Sequence, residues 1–397
     1  MANHHQQIKQ LLTRGVEEIF IKKHLEARLS RGDKLRVKFG IDPTGPSIHI
    51  GRAATLWKLK EFQDLGHKLV VIIGDFTAQI GDPSDKLAKR PMLSAAQIEQ
   101  NLVSYKQQLG RILDTKKVEW RHNQEWLNKM DLQRLAQLAE SFSVQQMLAR
   151  RNFKERWQKG SDISLRELLY PLLQGYDSVM VKADVELGGF DQLFNLQAGR
   201  VIQPLYKQPP QDIMVTQMLT GTDGRKMSTS WGNVIAITDE PAAMYGKAMS
   251  VKDELIGQYL LLAARLDTGQ AEELLKKLKQ GANPRDIKKV LAFELVKLYH
   301  GARAAVLAAA DFTSIHEQNK LPAKMVAQKI SRLRPGQTIV ELLVYLKLTD
   351  SKAAARRLVE QKGVKLNQVA VKDWRIKPVI KTGDVIQVGN RKFIKII

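Results

Sequence analysis

The sequence predicts an α/β fold: a parallel-sheet domain first, a helical segment after it, and a small α+β module at the end. Three observations predict it. A short alternating stretch at residues 35–39 is followed by a glycine-rich turn, a helical stretch and a continuous apolar run at residues 68–74, the order of a βαβ unit. Residues 239–310 carry helical periodicity. Residues 331–397 change character, from helical stretches to short alternating ones.

The elements follow in order. Residues 5–30 fit one amphipathic helix, with Ile8, Leu11, Leu12, Val16, Ile19 and Phe20 at apolar positions. Leu35 to Phe39 alternates and ends at Gly40, a short strand. Thr55 to Leu65 is helical, with Leu56, Leu59 and Phe62 on one face. Lys68 to Gly74 is a strand buried on both faces. Ser94 caps a helix to Leu113, with Gln97 three residues on. Lys117 to Trp120 is a strand, Asp131 to Lys159 is helical, and Ile213 to Thr216 is a strand leading into a glycine-rich loop. The helices of residues 239–310 break near Gly281 to Pro284. A boundary follows at Asn319 to Lys324, with a turn at Arg334-Pro-Gly336. In the tail, Ile339 to Leu348 and Ser351 to Gln361 are helical, and Val364 to Ile397 reads as strands with turns at Gly363, Gly383 and Gly389.

Composition bounds the function. A chain of 397 residues holds two to four domains at roughly 100 to 200 residues each. Hydrophobic content of 44% and a charged fraction of 26% are ordinary for a globular protein, but the net charge of +22 is not. It points to a polyanionic partner, nucleic acid or an acidic membrane surface. The tail alone carries fifteen Lys and Arg against five Asp and Glu, so the charge is concentrated there. With no cysteine, disulfides and thiolate metal sites are excluded, which suits a reducing cytosol. No run of about 18 apolar residues is present, so no membrane helix is expected. The N-terminus lacks the apolar core of a secretion signal, and Glu17 and Glu18 argue against a transit peptide.

Two distant segments carry the chemistry. The first is Asp42-Pro-Thr-Gly-Pro-Ser-Ile-His49-Ile-Gly51-Arg52; the second is Lys226-Met-Ser-Thr-Ser230, between Gly221-Thr-Asp-Gly224-Arg225 and Gly232. His49 and Arg52 stand at i and i+3, on one face of a first helical turn that begins near residue 50. Gly51 leaves room for a flat ring to approach the backbone, and the Thr44 hydroxyl can donate to a phosphate oxygen. Lys226 is a point charge on a flexible stem, suited to a phosphate that moves. Ser228, Thr229 and Ser230 add donors, and the flanking glycines suit a loop that opens and closes. No GxxxxGK[ST] stretch is present, which excludes a Walker-type site. Each segment alone suits phosphate binding; the pair in this order resembles the two signature segments of class I aminoacyl-tRNA synthetases, which implies activation of an amino-acid carboxylate by ATP. That reaction needs no protein nucleophile or strong base, only positioning and stabilisation of charge on phosphate.

With these segments the chain resembles the tyrosyl-tRNA synthetase family of class I aminoacyl-tRNA synthetases, over essentially its whole length. The resemblance implies a Rossmann-like catalytic domain over 1–225 with a dimer-interface insertion at about 120–190. It further implies a signature loop and helical anticodon-stem domain over 226–320 and an S4-like RNA-binding domain over 331–397. It assigns catalysis to Thr44, His49, Arg52, Lys226, Ser228, Thr229 and Ser230. ATP falls to Gly40, Asp42, Gly51, Thr55, Gly189, Asp191, Lys86 and Arg90, with Mg²⁺ carried by ATP and no metal site of the protein's own. Gly81-Asp82-Pro83-Ser84 resembles the segment whose Asp holds the substrate ammonium. Tyr170-Pro-Leu-Leu-Gln174-Gly-Tyr-Asp177 resembles the tyrosine-pocket helix, where Tyr170 and Gln174 face the ammonium and Asp177 accepts the phenol hydrogen. Gln192 would contact the substrate carboxylate. Two positions depart from the family's usual pattern: Arg52 stands where a second His is usual, and Lys38 where many members have Tyr. Lys38 is expected either to take over phenol recognition or to point elsewhere.

In the tail, Lys352, Arg356, Arg357, Lys362 and Lys365 are expected to meet tRNA phosphates. The resemblance implies a cytoplasmic homodimer that binds L-tyrosine and tRNA(Tyr), with no membrane association and no editing domain. Two rivals share parts of the pattern. Tryptophanyl-tRNA synthetases have the same signature pair but lack the S4-type tail, and a non-catalytic RNA-binding protein on a synthetase fold has no need of an intact Lys226 to Ser230.

Overall fold

A computed structural model describes residues 2–43, 47–82, 95–228, 231–316, 325–329, 336–389 and 392–397. The chain divides into two compact units, Met1–Ala302 and Arg303–Ile397. Among the described residues no helix is long and apolar enough to cross a membrane.

The first unit is built on a six-stranded sheet. Its strands are β1 (Val16–Phe20), β2 (Arg36–Ile41), β3 (Lys68–Ile73), β4 (Val118–His122), β5 (Val185–Gly189) and β6 (Asp212–Thr216), in the order β1-β6-β5-β2-β3-β4. All neighbours are parallel except β1, which runs antiparallel to β6 at the edge. The continuous apolar run of β3 is explained by burial on both faces: Leu69 to Ile73 are inaccessible to solvent or nearly so. From β2 the chain proceeds to β3 and β4 on one side and returns to β5 and β6 on the other. The strand order therefore reverses between β2 and β5, and a parallel sheet binds its ligands beyond the carboxyl ends of the strands at such a point. The α/β, Rossmann-like expectation is met.

Several boundaries differ from the sequence reading, each for a local reason. The single helix over 5–30 is instead helix Ala2–Thr13, strand β1 and helix Lys22–Arg31. Gly15, at φ +62°, breaks the first helix, and pairing with β6 overrides the helical pattern of Val16 to Phe20. Gly40 lies inside β2 rather than ending it. The stretch 131–159 is three short helices, Leu132–Glu140, Val144–Leu148 and Arg151–Gln158. Asp131 caps the first and a Ser143–Gln146 capping box starts the second. Strand β5, ending in Gly188 and Gly189, has no counterpart in the sequence reading. The helix over 94–113 spans Ala95–Leu109, and Ser94 lies outside the described residues, as do the boundary at residues 319–324 and most of the turn at Arg334-Pro-Gly336.

Helix Leu165–Val181 lies against helix Leu193–Ile202 through two glycines. A Cβ on Gly175 would come within 2.9 Å of the Ala198 backbone, and one on Gly199 within 2.7 Å of Ser178 Oγ. The close approach fixes the helix that presents Tyr170, Gln174 and Asp177. Its inner side is packed with Leu172, Leu173, Tyr176 and Val179. After β6 the unit is helical, with Pro241–Met249, Thr268–Lys279 and Pro284–His300.

The second unit holds helices Ile339–Tyr345 and Lys352–Glu360 over a five-stranded sheet. The strands are β7 (Val326–Gln328), β8 (Val364–Leu366), β9 (Val369–Ala370), β10 (Val385–Val388) and β11 (Lys392–Ile396), ordered β7-β11-β10-β8-β9. Its own core includes Ile339, Leu343, Ala355, Val364, Ile386 and Ile396.

Candidate active site

The carboxyl ends of β2, β3, β5 and β6 surround a cleft with a cavity volume of about 270 Å³. Both distant segments reach it. His49 is the N-cap of helix Ile50–Asp64, and its Nδ1 accepts from the Arg52 backbone N–H at 3.3 Å. The proton of the neutral ring is thereby left on Nε2. Burial above all, then Arg52 and Lys226, pushes the His49 pKa down to about 4, so the ring is neutral near pH 7 and is a hydrogen-bond donor rather than a cation.

The chain just after the second segment is joined to the first through the backbone. Ile50 N–H donates to Ile235 O at 2.9 Å and Ile237 N–H to Ile48 O at 3.0 Å. A Cβ on Gly51 would meet Met227 Sδ and His49 Nδ1 at 3.1 Å each, so a side chain here would crowd the contact between the two segments. Lys226 lines the cleft with its Nζ 3.6 Å from Asp191 Oδ2. The loop that carries it is pinned by buried Asn233. The Asn233 Nδ2 donates to Asp223 Oδ1 at 2.8 Å and to Lys226 O at 3.1 Å, and its Oδ1 accepts from Ser228 N at 2.9 Å. Those contacts hold Asp223 down to about 2, first through Asn233 and then through Arg225.

The inner wall is a connected polar network. Tyr170 OH donates to Asp42 Oδ2 at 2.9 Å and Thr77 Oγ1 to Asp42 Oδ1 at 2.8 Å. Asn123 Nδ2 donates to Thr77 Oγ1 at 2.9 Å and to Asp177 Oδ2 at 3.3 Å, and Trp126 Nε1 donates to Asp177 Oδ1 at 2.8 Å. Burial raises the Asp177 pKa to about 7 against the opposing pull of Lys38, Trp126 and Asn123. Burial and then Asp42 raise the Tyr170 hydroxyl well above its ordinary value, so it stays a donor. Asp82 accepts from Gln192 Nε2 at 2.7 Å and Asn195 Nδ2 at 3.4 Å. A buried carboxylate at one end, a carboxylate cluster at the other and cations at the mouth suit a zwitterion with a phenol, lying beside a polyphosphate.

The sequence profile of the tRNA synthetases class I (W and Y) matches residues 30–317. The tyrosine–tRNA ligase of Thermotoga maritima is 44% identical over 393 residues, covering 98% of this chain and 97% of that one. That of Dehalococcoides mccartyi is 43% identical over 394 residues, covering 98% of each. The chain belongs to the tyrosine–tRNA ligase family of class I tRNA synthetases. Solved structures share the family fold at low identity. A C-terminally truncated mitochondrial tyrosyl-tRNA synthetase of Aspergillus nidulans superposes with a TM-score of 0.64 at 21% identity, covering 78% of this chain and 94% of that one. The tyrosyl-tRNA synthetase of Archaeoglobus fulgidus complexed with L-tyrosine gives 0.63 at 22%, covering 76% and 99%.

For this tyrosine–tRNA ligase family member, most residues singled out from sequence lie on one cleft. Gly40, Asp42, His49, Gly51, Arg52, Thr55, Asp82, Tyr170, Gln174, Asp177, Gly189, Asp191, Gln192 and Lys226 all line it. Arg52 Nη1 donates to Tyr105 OH at 2.9 Å, and the Thr55 hydroxyl is 2.8 Å from that of Thr216. Ser228 is in the same loop as Lys226. Thr44, Lys86, Arg90, Thr229 and Ser230 lie outside the described residues.

Lys38 is corrected. It does not line the cleft, and its side chain is wholly buried. Its Nζ donates to Gln174 O at 2.8 Å and Ser178 Oγ at 2.7 Å and pairs with Glu186 Oε1 at 2.8 Å. An ammonium has three donors, so all are used and none is left for a phenol. Sequence reasoning missed Asn123, Trp126, Thr77, Asn195 and Asn233. Asn233 directly follows Gly232 of the second segment's loop; the others sit in no glycine-rich or charged motif, and only the fold brings them to the cleft or to the residues that line it. Among the described residues no cluster of three or more His, Cys, Asp and Glu could hold a metal ion.

In the second unit, Lys352, Arg356, Arg357 and Lys362 are exposed on or just beyond helix Lys352–Glu360, and Lys365 is half-buried on β8. The Arg356 and Arg375 guanidinium carbons lie 4.7 and 4.8 Å from the Trp374 ring centroid.

Proposed function

We propose that the cleft activates L-tyrosine with ATP, giving tyrosyl-adenylate and pyrophosphate, and then passes the tyrosine to the 3′ end of tRNA(Tyr). The observation that carries this reading is the meeting of His49 and Lys226 at the mouth of a cleft whose inner wall holds Tyr170, Gln174 and Asp177. The tyrosine carboxylate oxygen attacks the α-phosphorus, and pyrophosphate leaves with the bonding pair. No proton need move, since the carboxylate is already ionised near neutral pH. His49, donating from Nε2, and Lys226, as a mobile cation, stabilise the charge that grows on the phosphates; Arg52 adds a fixed one. Mg²⁺ arrives with ATP, held through phosphates and water. Asp177 accepts from the phenol. Tyr170, Gln174 and Asp82 receive the ammonium end, and Gln192 the carboxylate. Gly189 and Asp191 take the ribose side.

Exchange of labelled pyrophosphate into ATP tests the reading directly. Tyrosine-dependent exchange is expected; tryptophan-dependent exchange would move the chain to the sister specificity, and no exchange with either would make it a non-catalytic RNA binder.

The second unit is the tRNA-binding module of this reading, S4-like in its helix pair and strands, and the helices after β6 meet the anticodon stem. Arg357, Lys362 and Lys365 are each expected to neutralise a phosphate. Replacing all three by alanine should weaken tRNA binding and flatten the slope of log affinity against log salt by about 2 to 3, with pyrophosphate exchange unchanged. An unchanged slope would remove these residues from the interface. The enzyme is further read as a cytoplasmic homodimer joined through residues about 120–190. The exposure of Leu132, Val144, Trp157 and Leu165 in that stretch supports the shared surface.

A further inference from the structure

Beneath the inner wall lies a closed network that the reaction itself does not use. Lys38 of β2 and Glu186 of β5 are register partners on adjacent parallel strands. Their side chains are 0% and 1% exposed. Glu186 receives four donors. Gln174 Nε2 donates to its Oε1 at 3.2 Å, Ser178 Oγ to its Oε2 at 3.0 Å, Gln211 Nε2 also to Oε2, and Lys38 Nζ lies 2.8 Å from Oε1. A carboxylate offers about four lone-pair sites, so the group is saturated. A buried ion pair of this kind adds little stability over an apolar pair of similar volume, so its value lies in what it orients.

What it orients is Gln174. An ionised carboxylate only accepts, so the Gln174 nitrogen must face Glu186 and its oxygen must be the other end of the amide. The Gln174 carbonyl on the same helix is held by Lys38. Both handles of this residue, backbone and side chain, are therefore gripped from below by one ion pair, while the residue lines the cleft above.

We propose that Lys38 and Glu186 are the positioning pair of the amino-acid subsite, locking the Gln174 amide so that Oε1 is presented to the cleft as an acceptor for the substrate ammonium. The proposal rests on the assignment of Gln174 to the ammonium given above. Lys38→Met/Glu186→Met removes the pair at nearly constant volume. The Gln174 nitrogen loses its acceptor and the Gln174 carbonyl loses Lys38, so the amide is free to turn over. An NH₂ group can then face the cleft where a cation must sit.

The test compares the dissociation constants of L-tyrosine and of 3-(4-hydroxyphenyl)propionate, which keeps the phenol and carboxylate but has no ammonium. Lys38→Met/Glu186→Met should raise the constant for tyrosine about tenfold or more, the scale of one hydrogen bond to a charged group, and leave the propionate within about twofold. Gln174→Ala should shrink the same ratio. Equal weakening of both ligands by the double variant would mean a merely structural pair and would overturn the proposal. So would an unchanged ratio in the double variant beside a reduced one in Gln174→Ala. An unchanged ratio in Gln174→Ala would instead strike the assignment of Gln174 itself. Should Lys38→Met/Glu186→Met fail to fold, Lys38→Leu/Glu186→Met removes both charges with a smaller side chain on β2 and carries the same comparison with the same outcomes.

Discussion

Replacing Lys226 by alanine is expected to slow tyrosine-dependent pyrophosphate exchange by on the order of 10²- to 10³-fold, the cost of removing one preorganised group from developing charge. Tyrosine affinity should stay within about twofold. The split follows from position. Lys226 stands at the mouth of the cleft beside Asp191, on the loop pinned by Asn233, whereas Tyr170, Gln174 and Asp177 are on the helix of the inner wall. An ammonium on a flexible stem can follow the phosphates as pyrophosphate departs, so its contribution is larger in the transition state than in the ground state. His49 cannot substitute for it, because a ring pushed down to about 4 carries no charge near pH 7. Single-turnover formation of the adenylate, beside equilibrium binding of tyrosine, separates the two quantities. Equal losses in both would mean that the loop supports the amino-acid pocket rather than the phosphates.

How much of this was legible in the sequence depends on what kind of signal each residue leaves. The βαβ core was legible because burial on both faces writes a continuous apolar run, rich in Val and Ile, at Leu69 to Ile73. The two signature segments were legible because close approach favours glycine at fixed offsets; Gly51 against Met227 is such a contact. Strand β1 was hidden because its helix-like spacing is contradicted only by a partner nearly 200 residues away, Thr216 to Ile213 of β6. The wall residues Asn123 and Trp126 were hidden for a related reason. Each serves Asp177 across more than fifty positions of chain, through a single hydrogen bond that has no periodicity. Lys38 shows the opposite error. Its position just before the first segment, where many family members have Tyr, suggested direct contact, but β-strand side chains alternate between faces. Lys38 shares its face with Glu186, and that acid, with Gln174 and Ser178, uses its three donors.

Replacing Asp177 by alanine is expected to lower discrimination between tyrosine and phenylalanine by about 10²-fold or more. A site built to pair a hydroxyl rejects its absence by about 10⁴- to 10⁵-fold, a figure for which tyrosyl-tRNA synthetases are themselves the reference case. Both protein partners of Asp177, Trp126 Nε1 and Asn123 Nδ2, are donors, so the carboxylate can take a third donor from the phenol. Phenylalanine would exclude water from that carboxylate and supply nothing in return. Asp177→Asn should fail almost as badly, because one of its two ends becomes a donor among donors. The raised pKa adds a test that needs no mutation. As pH falls through about 7 the free enzyme's Asp177 takes up a proton and becomes a weaker acceptor, so tyrosine affinity should drop while phenylalanine affinity does not. Stability runs the other way. The folded value of about 7 lies above the ordinary 3.8, so the folded chain holds this proton more tightly, and the contribution of Asp177 is fullest below 3.8 and lost as pH rises through about 7. Acidification therefore relieves the buried charge and weakens the pocket together. Dissociation constants for both amino acids at about pH 6 and about pH 8 decide it: parallel pH dependence for the two ligands would detach Asp177 from phenol recognition.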